Sequence, residues 1–312
     1  MRDDRAAALR WAAMTRRRHR AAGRVLRAAA PALPAAAPPR RPIFILGSPR
    51  SGTTMLFQLL DRSRAVASLG YGSQFIWEMF RPHQIQLGRS HAVEPGDITA
   101  RERKVVNWAI EQVAGDMPYL DKFPRMVLRA EYLTALYPDA RFIWIIRDGR
   151  SVVSSLVTGW NTPGKFGQGT VLPVPLRVDG YGGSVWRFVL PAGWEDYTSG
   201  RTLAEVCAFQ WASSNTALLE AADRIGHDRF YQVRYEDLVR SPVETTAAML
   251  AHLDLADDPD VLAHAAALDR NVTQTAVTAP RPEKWRDENP EAVRSILPQI
   301  APVMARLGYP LD

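Results

Sequence analysis

Gly47-Ser48-Pro49-Arg50-Ser51-Gly52-Thr53-Thr54 joins a short apolar run, Ile43 to Leu46, to a helical pattern through Met55, Leu56, Leu59 and Leu60. Set between a strand and a helix, such a loop surrounds an oxyanion with backbone N–H groups and the positive helix end. Gly47 and Gly52 permit the tight turn and a close backbone approach. A Walker-type loop requires Lys and then Ser or Thr after its second Gly. Here Thr53 holds the Lys position and Arg50 supplies a cation from inside the loop. That suits a donor with a single phosphate beside the group being moved. Arg50, Ser51, Thr53, Thr54 and the loop backbone through Ser48, Pro49 and Gly52 are the candidate contacts.

A second anion site is expected at Arg147-Asp148-Gly149-Arg150-Ser151, after the run Phe142 to Ile146. An Arg at the carboxyl end of a parallel strand faces the crevice where open α/β sheets bind ligands. Ser155, eight residues on and one turn into the next helix, can meet the same anion. A guanidinium fork with a hydroxyl suits a phosphate monoester. A surface Arg147–Asp148 pair explains this segment equally well when it is taken alone. Taken together, the two segments fit one nucleotide carrying anionic groups at its 5' and 3' ends.

The elements that must position these residues alternate. Apolar runs at Ile43–Leu46 and Phe142–Ile146 read as buried strands, and Arg229 to Arg234 as a third. Helices are expected after residue 52, over Arg125 to Tyr137 with Pro138 as its stop, from about Ser151, and over 201–224. Strand–helix alternation predicts an α/β fold: a parallel sheet flanked by helices on both faces, in one domain over residues 42–312. The Gly- and Pro-rich stretch from about 160 to 200 breaks the rhythm. It carries Trp160, Tyr181, Trp186, Trp194 and Tyr197 and reads as an insertion, a place where function gathers.

Composition narrows the class. The 312 residues carry a net charge of +6, but residues 1–41 hold eleven Arg and two Asp, which leaves the remainder at −3. The basicity therefore belongs to an Arg/Ala/Pro-rich extension, expected to be poorly ordered, and argues against a nucleic-acid partner for the body. One cysteine, Cys207, suits a reducing, cytoplasmic setting. No apolar run reaches the length of a membrane span.

With these motifs in place, the sequence resembles the 3'-phosphoadenylyl sulfate (PAPS)-dependent sulfotransferases, in particular a bacterial branch related to the tyrosylprotein sulfotransferases. "FILGSPRSGTT" is similar to their 5'-phosphosulfate loop and "FIWIIRDGRSVVSS" to their 3'-phosphate strand and helix. "DKFP", "QWASSN", "RFYQVRYEDLVRSP" and "EKWR" follow in the family's order between Pro42 and Arg286. The resemblance implies sulfuryl transfer from PAPS to an acceptor hydroxyl of a small molecule, glycan, lipid or peptide, with release of adenosine 3',5'-bisphosphate (PAP) and no metal. It also implies that Arg50 to Thr54 hold the 5'-phosphosulfate and that Arg147 and Ser155 hold the 3'-phosphate. Tyr235 would support that phosphate or the adenosine, and Lys284 and Trp285 would belong to a late loop over the nucleotide.

In-line sulfuryl transfer asks for positioning and charge stabilisation, much as phosphoryl transfer does. Arg50 is one cation near the moving group, and Lys122 matches the family's catalytic lysine. Glu78, in "FIWEMF", resembles the family's Trp-Glu pair and is the candidate general base, its aromatic neighbours expected to raise its pKa. His83 is the second candidate. Two readings compete with sulfuryl transfer: a P-loop-like kinase or NTPase, and a non-catalytic nucleotide-binding module on the same fold.

Overall fold

Four parallel strands in the order β2-β1-β3-β8 form the central sheet. The structure, a computed structural model, describes residues 21–70, 73–81, 88–162, 169–268 and 283–311. Strands β1 (Ile43–Leu46) and β3 (Arg141–Ile146) lie at the centre, with β2 (Leu120–Asp121) and β8 (Phe230–Arg234) outside them. The apolar runs of β1 and β3 are continuous because both faces are covered, as in parallel sheets generally. Phe44, Leu46, Phe142, Trp144 and Ile146 enter one core; Ile43, Ile45, Ile143, Ile145 and Val233 enter the other. This is the strand period of two read out as two layers.

Helices fill both layers. Helix α1 (Thr53–Leu60) contributes Met55, Leu56, Leu59 and Leu60 to the second core. A short α2 (Gln74–Glu78) follows. Then α3 (Ala100–Ala114), α4 (Ala130–Leu136), α5 (Gly149–Trp160) and α6 (Leu203–Ile225) supply the first core. Helices α7 (Tyr235–Arg240), α8 (Pro242–His252) and α9 (Pro259–Ala266) cover the second. Late in the chain come α10 (Trp285–Glu288), α11 (Pro290–Ser295) and α12 (Leu297–Arg306). Each fully buried Leu, Ile or Phe in these layers contributes about 1.5–3 kcal/mol.

The topology creates the site. After β1 the chain turns to α1 on one face, and after β3 it turns to α5 on the other. Loops that diverge from adjacent strands leave a crevice at their carboxyl ends, the switch point of an open α/β sheet.

Three sequence expectations need correction. The helix expected over Arg125 to Tyr137 is two pieces, a 3₁₀ turn at Pro124–Leu128 and then α4, separated by Arg129 at φ −138°, ψ 21°. The break exists because the Arg129 side chain is drawn inward. Its Nε donates to His91 O at 2.7 Å, and its Nη2 pairs with Glu78.

Residues 21–41, expected in the poorly ordered extension, lie against the body. Residues 21–29 are helical, Ala30 is buried in the first core, and Arg27 Nη1 donates to Met79 O at 3.1 Å. The insertion's aromatics, expected on a functional loop, largely fill a core. Trp160 meets Tyr181 and Trp186 edge to face at 4.9 and 5.4 Å, and its Nε1 donates to Gln210 Oε1. Around them, β4 (Gly169–Val171) pairs antiparallel with β6 (Val185–Arg187), and β5 (Arg177–Asp179) pairs parallel with β7 (Ser199–Thr202).

Candidate active site

Each strand of the sheet delivers one polar element to the same edge: Lys122 after β2, the Gly47–Thr54 loop after β1, Arg147 after β3 and Tyr235 after β8. The loop folds tightly, with Ser51 N donating to Ser48 O at 3.1 Å, and Ser48, Pro49 and Ser51 are buried in it. Gly47 has no room for a side chain: a Cβ there would stand 2.7 Å from Ile145 O on the neighbouring strand. Gly52 sits at φ 105°, and a Cβ would collide with the Tyr235 ring at 2.8 Å. Gly52 also precedes α1 without a side-chain cap, which leaves the first N–H groups of the helix for an anion.

Arg50 occupies φ 75°, a conformation that costs an ordinary residue about 1–3 kcal/mol and recurs at functional sites. Its neighbours hold it there. Arg147 Nη1 donates to Arg50 O at 3.1 Å, and Arg50 Nε donates to Ser155 Oγ at 3.2 Å. The Arg147 guanidinium lies 4.0 Å from the centroid of the Tyr235 ring. The structure thus brings Arg50, Arg147, Ser155 and Tyr235 into one cluster. Burial, with Arg147 second, lowers the Arg50 pKa to about 10, so Arg50 remains charged at neutral pH. Two adjacent guanidiniums without an anion repel each other, and among the described residues Arg147 Nε is buried with no hydrogen-bond partner. Both observations fit a phosphate in the crevice.

Lys122 reaches the same loop from the other side: its Nζ donates to Thr54 Oγ1 at 3.1 Å. Burial depresses its pKa to about 8, and the charge of Asp121 partly opposes the shift.

Glu78 ends α2 and is nearly buried, but arginines flank its carboxylate. Arg125 Nη1 donates to Oε2 at 2.8 Å, and Arg129 Nη2 pairs with Oε1 at 2.9 Å. The aromatic setting expected for it is therefore replaced by a double guanidinium clamp. His83, the other candidate base, lies outside the described residues. Lys284 stands at the start of α10. Trp285 is placed over Arg150, 5.4 Å from guanidinium carbon to ring centroid, and Arg150 is chelated by Asp148. Asn289 Nδ2 donates to Ser154 Oγ at 2.9 Å and fixes this late segment on α5.

Sequence reasoning missed three participants. Asp121, Arg129 and Arg150 are all buried and all hydrogen-bonded to elements of the site. The available signal was charge inside apolar patterning: Asp121 follows Tyr119-Leu120, and Arg125 and Arg129 flank Met126-Val127-Leu128. Glu236, the second residue of α7, accepts from Asp148 N at 3.1 Å and from Tyr309 OH at 2.8 Å.

The chain is similar to known proteins in both sequence and fold. The sequence profile described as the sulfotransferase family matches residues 42–169 and 186–259. A protein-tyrosine sulfotransferase of Drosophila melanogaster is 26% identical over 295 residues, covering 86% of this chain and 51% of that protein. Protein-tyrosine sulfotransferase 2 of Gallus gallus is 25% identical over 290 residues, covering 86% and 69%. The chain thus spans about half the length of the fly protein. The crystal structure of sulfotransferase STF9 from Mycobacterium avium shares the fold with a TM-score of 0.53 at 18% identity, covering 88% of this chain and 79% of that one.

Proposed function

The chain belongs to the sulfotransferase family, and from that premise we propose that it transfers the sulfuryl group of PAPS to an acceptor hydroxyl. One observation carries the reading: Arg50, Arg147, Ser155 and Tyr235 converge at the β1–β3 crevice, where Arg147 keeps a buried unpartnered donor. In this reading the loop amides, Ser51, Thr53 and Thr54 hold the 5' end of the nucleotide. Arg147 and Ser155 hold the 3'-phosphate, with Tyr235 supporting the Arg147 guanidinium. Lys284 and Trp285 lie at the adenosine side. When bound, PAPS supplies the sulfuryl group and leaves as PAP.

Arg50 and Lys122 stabilise the charge that develops on the bridging and equatorial oxygens as the bond to the leaving phosphate breaks. A base must take the acceptor proton. Glu78 holds this role with its carboxylate oriented by Arg125 and Arg129. Thr53 in place of a Walker lysine, and Arg147 where an NTPase would end a strand in a metal-binding carboxylate, disfavour the kinase reading. The acceptor carries a hydroxyl, and the similarity to proteins named protein-tyrosine sulfotransferases puts tyrosyl peptides first in a test panel. A reducing, cytoplasmic setting is supported by the single, buried Cys207.

The test is calorimetric titration with PAP and with ATP–Mg²⁺, followed by transfer from ³⁵S-labelled PAPS to tyrosyl peptides, simple phenols and glycans. PAP is expected to bind at least tenfold more tightly than ATP–Mg²⁺, and label to appear on an acceptor. Preference for ATP–Mg²⁺ would overturn the proposal.

A further inference from the structure

The Asp121 carboxylate is almost completely shielded from water and collects four hydrogen bonds. Oδ1 accepts from Ser73 Oγ and from Lys122 N, each at 2.6 Å; Oδ2 accepts from Trp77 Nε1 at 2.8 Å and Tyr119 OH at 2.7 Å. Burial pushes its pKa up while these four bonds pull it down. A buried carboxylate is costly unless its lone pairs are met, and here three of its four donors belong to segments that carry Lys122 and Glu78. Lys122 is the next residue. Ser73 and Trp77 bracket α2, whose last residue is Glu78. Asp121 itself pairs in register with Phe44, three residues before the anion loop.

We propose that Asp121 is a positioning residue for transfer: one buried carboxylate that fixes both Lys122 and the Glu78-bearing helix relative to the anion loop. The proposal rests on the assignment of Lys122 to the reaction. Asp121 touches no substrate. It sets the backbone from which Lys122 reaches Thr54 and the angle at which α2 presents Glu78. Its charge also acts on Lys122, being the opposite charge that sustains the ammonium form against burial. Tyr119, the other titratable group in contact with Asp121, has its hydroxyl held well above its ordinary range and stays neutral.

The informative substitution is Asp121→Asn. Each oxygen now meets one group able only to donate, Lys122 N–H at Oδ1 and Trp77 Nε1–H at Oδ2. An amide therefore leaves one of them facing an NH₂, whichever way it turns. The contacts of Arg50, Arg147 and Ser155 do not pass through Asp121, so PAP affinity is expected within about threefold of wild type. The turnover number kcat should fall by about 100-fold. Removing the negative charge should also lower the Lys122 pKa. Acetylation of Lys122 by an anhydride, followed by mass spectrometry against pH, should then reach its midpoint at lower pH, with labelling at pH 7 several-fold faster.

A purely structural role would weaken PAP binding and kcat together and leave the labelling midpoint in place; that result overturns the proposal. If the Asn variant does not fold, Tyr119→Phe and Ser73→Ala each remove one donor and keep the charge. Both should lower kcat several-fold at unchanged PAP affinity, and unchanged kcat in both overturns the proposal. Absence of transfer by the wild-type protein would instead count against the functional reading. The labelling shift in Asp121→Asn still decides the coupling of Asp121 to Lys122, because it needs no turnover.

Discussion

The crevice between β1 and β3 and the stretch from Trp160 to Thr202 are built on opposite terms. In the crevice, four adjacent parallel strands end at one edge between two helix layers, and each contributes a charged or aromatic group. In the insertion, two-stranded pieces of three or four residues wrap a Trp cluster, and the outward positions carry Val171 and Val174, 64% and 45% exposed. The first arrangement ties its charged groups to one another by hydrogen bonds and a cation–π contact. The second spends its large aromatics on its own stability and leaves small apolar residues outside. The proposed chemistry sits on the sheet edge, and exposed apolar surface sits on the insertion.

Breaking the sheet-edge half should produce the largest effect. Arg50 meets Ser155 and Arg147 and in the proposed reaction also the moving group, so Arg50→Ala is expected to reduce transfer by about 10³-fold. The check is initial-rate measurement at saturating PAPS, with a circular-dichroism melt to show that the fold persists. Retention of more than a tenth of wild-type kcat would place the reacting group elsewhere.

Lys122 sharpens the same half through pH. Its pKa is lowered to about 8, below the ordinary lysine value, and the ammonium form is the one proposed to meet the developing charge. It is charged below that pH and loses its proton above it, so kcat/KM for PAPS, which follows the free protein, should fall about tenfold per pH unit beyond about 8. Lys122→Arg should remove this limb up to about pH 10, where Arg50 begins to titrate. An alkaline limb unchanged in the Arg variant would assign it to another group.

The contrast also explains what could be read from residue order. The strands Ile43–Leu46 and Phe142–Ile146 were legible because burial on both faces leaves an unbroken apolar run. The loop was legible because Gly47 and Gly52 are demanded by close approach to Ile145 and Tyr235. What stayed hidden depends on partners distant in sequence. Arg129 breaks a helix that periodicity draws straight through, because His91 and Glu78 pull it inward from 38 residues and 51 residues away. Asp121 looks like a surface acid beside a lysine until the fold puts Ser73, Trp77 and Tyr119 around it. The Trp residues of the insertion look like a binding platform until Gln210 claims the Trp160 N–H. Pattern reports local burial; it does not report which buried charges meet.

The smallest expected effect tests the other half directly. If the insertion borders the acceptor and takes no part in donor binding, Val171→Asp should leave the Kd for PAP unchanged within about twofold. A single exposed substitution away from packed features shifts stability by about 0.5 kcal/mol or less. The KM for an apolar or phenolic acceptor should rise several-fold, because a charge on an apolar rim must be desolvated as the acceptor approaches. Isothermal titration with PAP and acceptor-dependence kinetics on the same preparation separate the two. A change in PAP affinity with acceptor KM unaltered would show that the insertion communicates with the β1–β3 crevice. The route on hand is the Thr170–His91–Arg129–Glu78 line of contacts, in which His91 Nε2 meets Thr170 Oγ1 at 3.2 Å. In that case the division between a donor edge on the sheet and an acceptor rim on the insertion would have to give way to a single coupled unit.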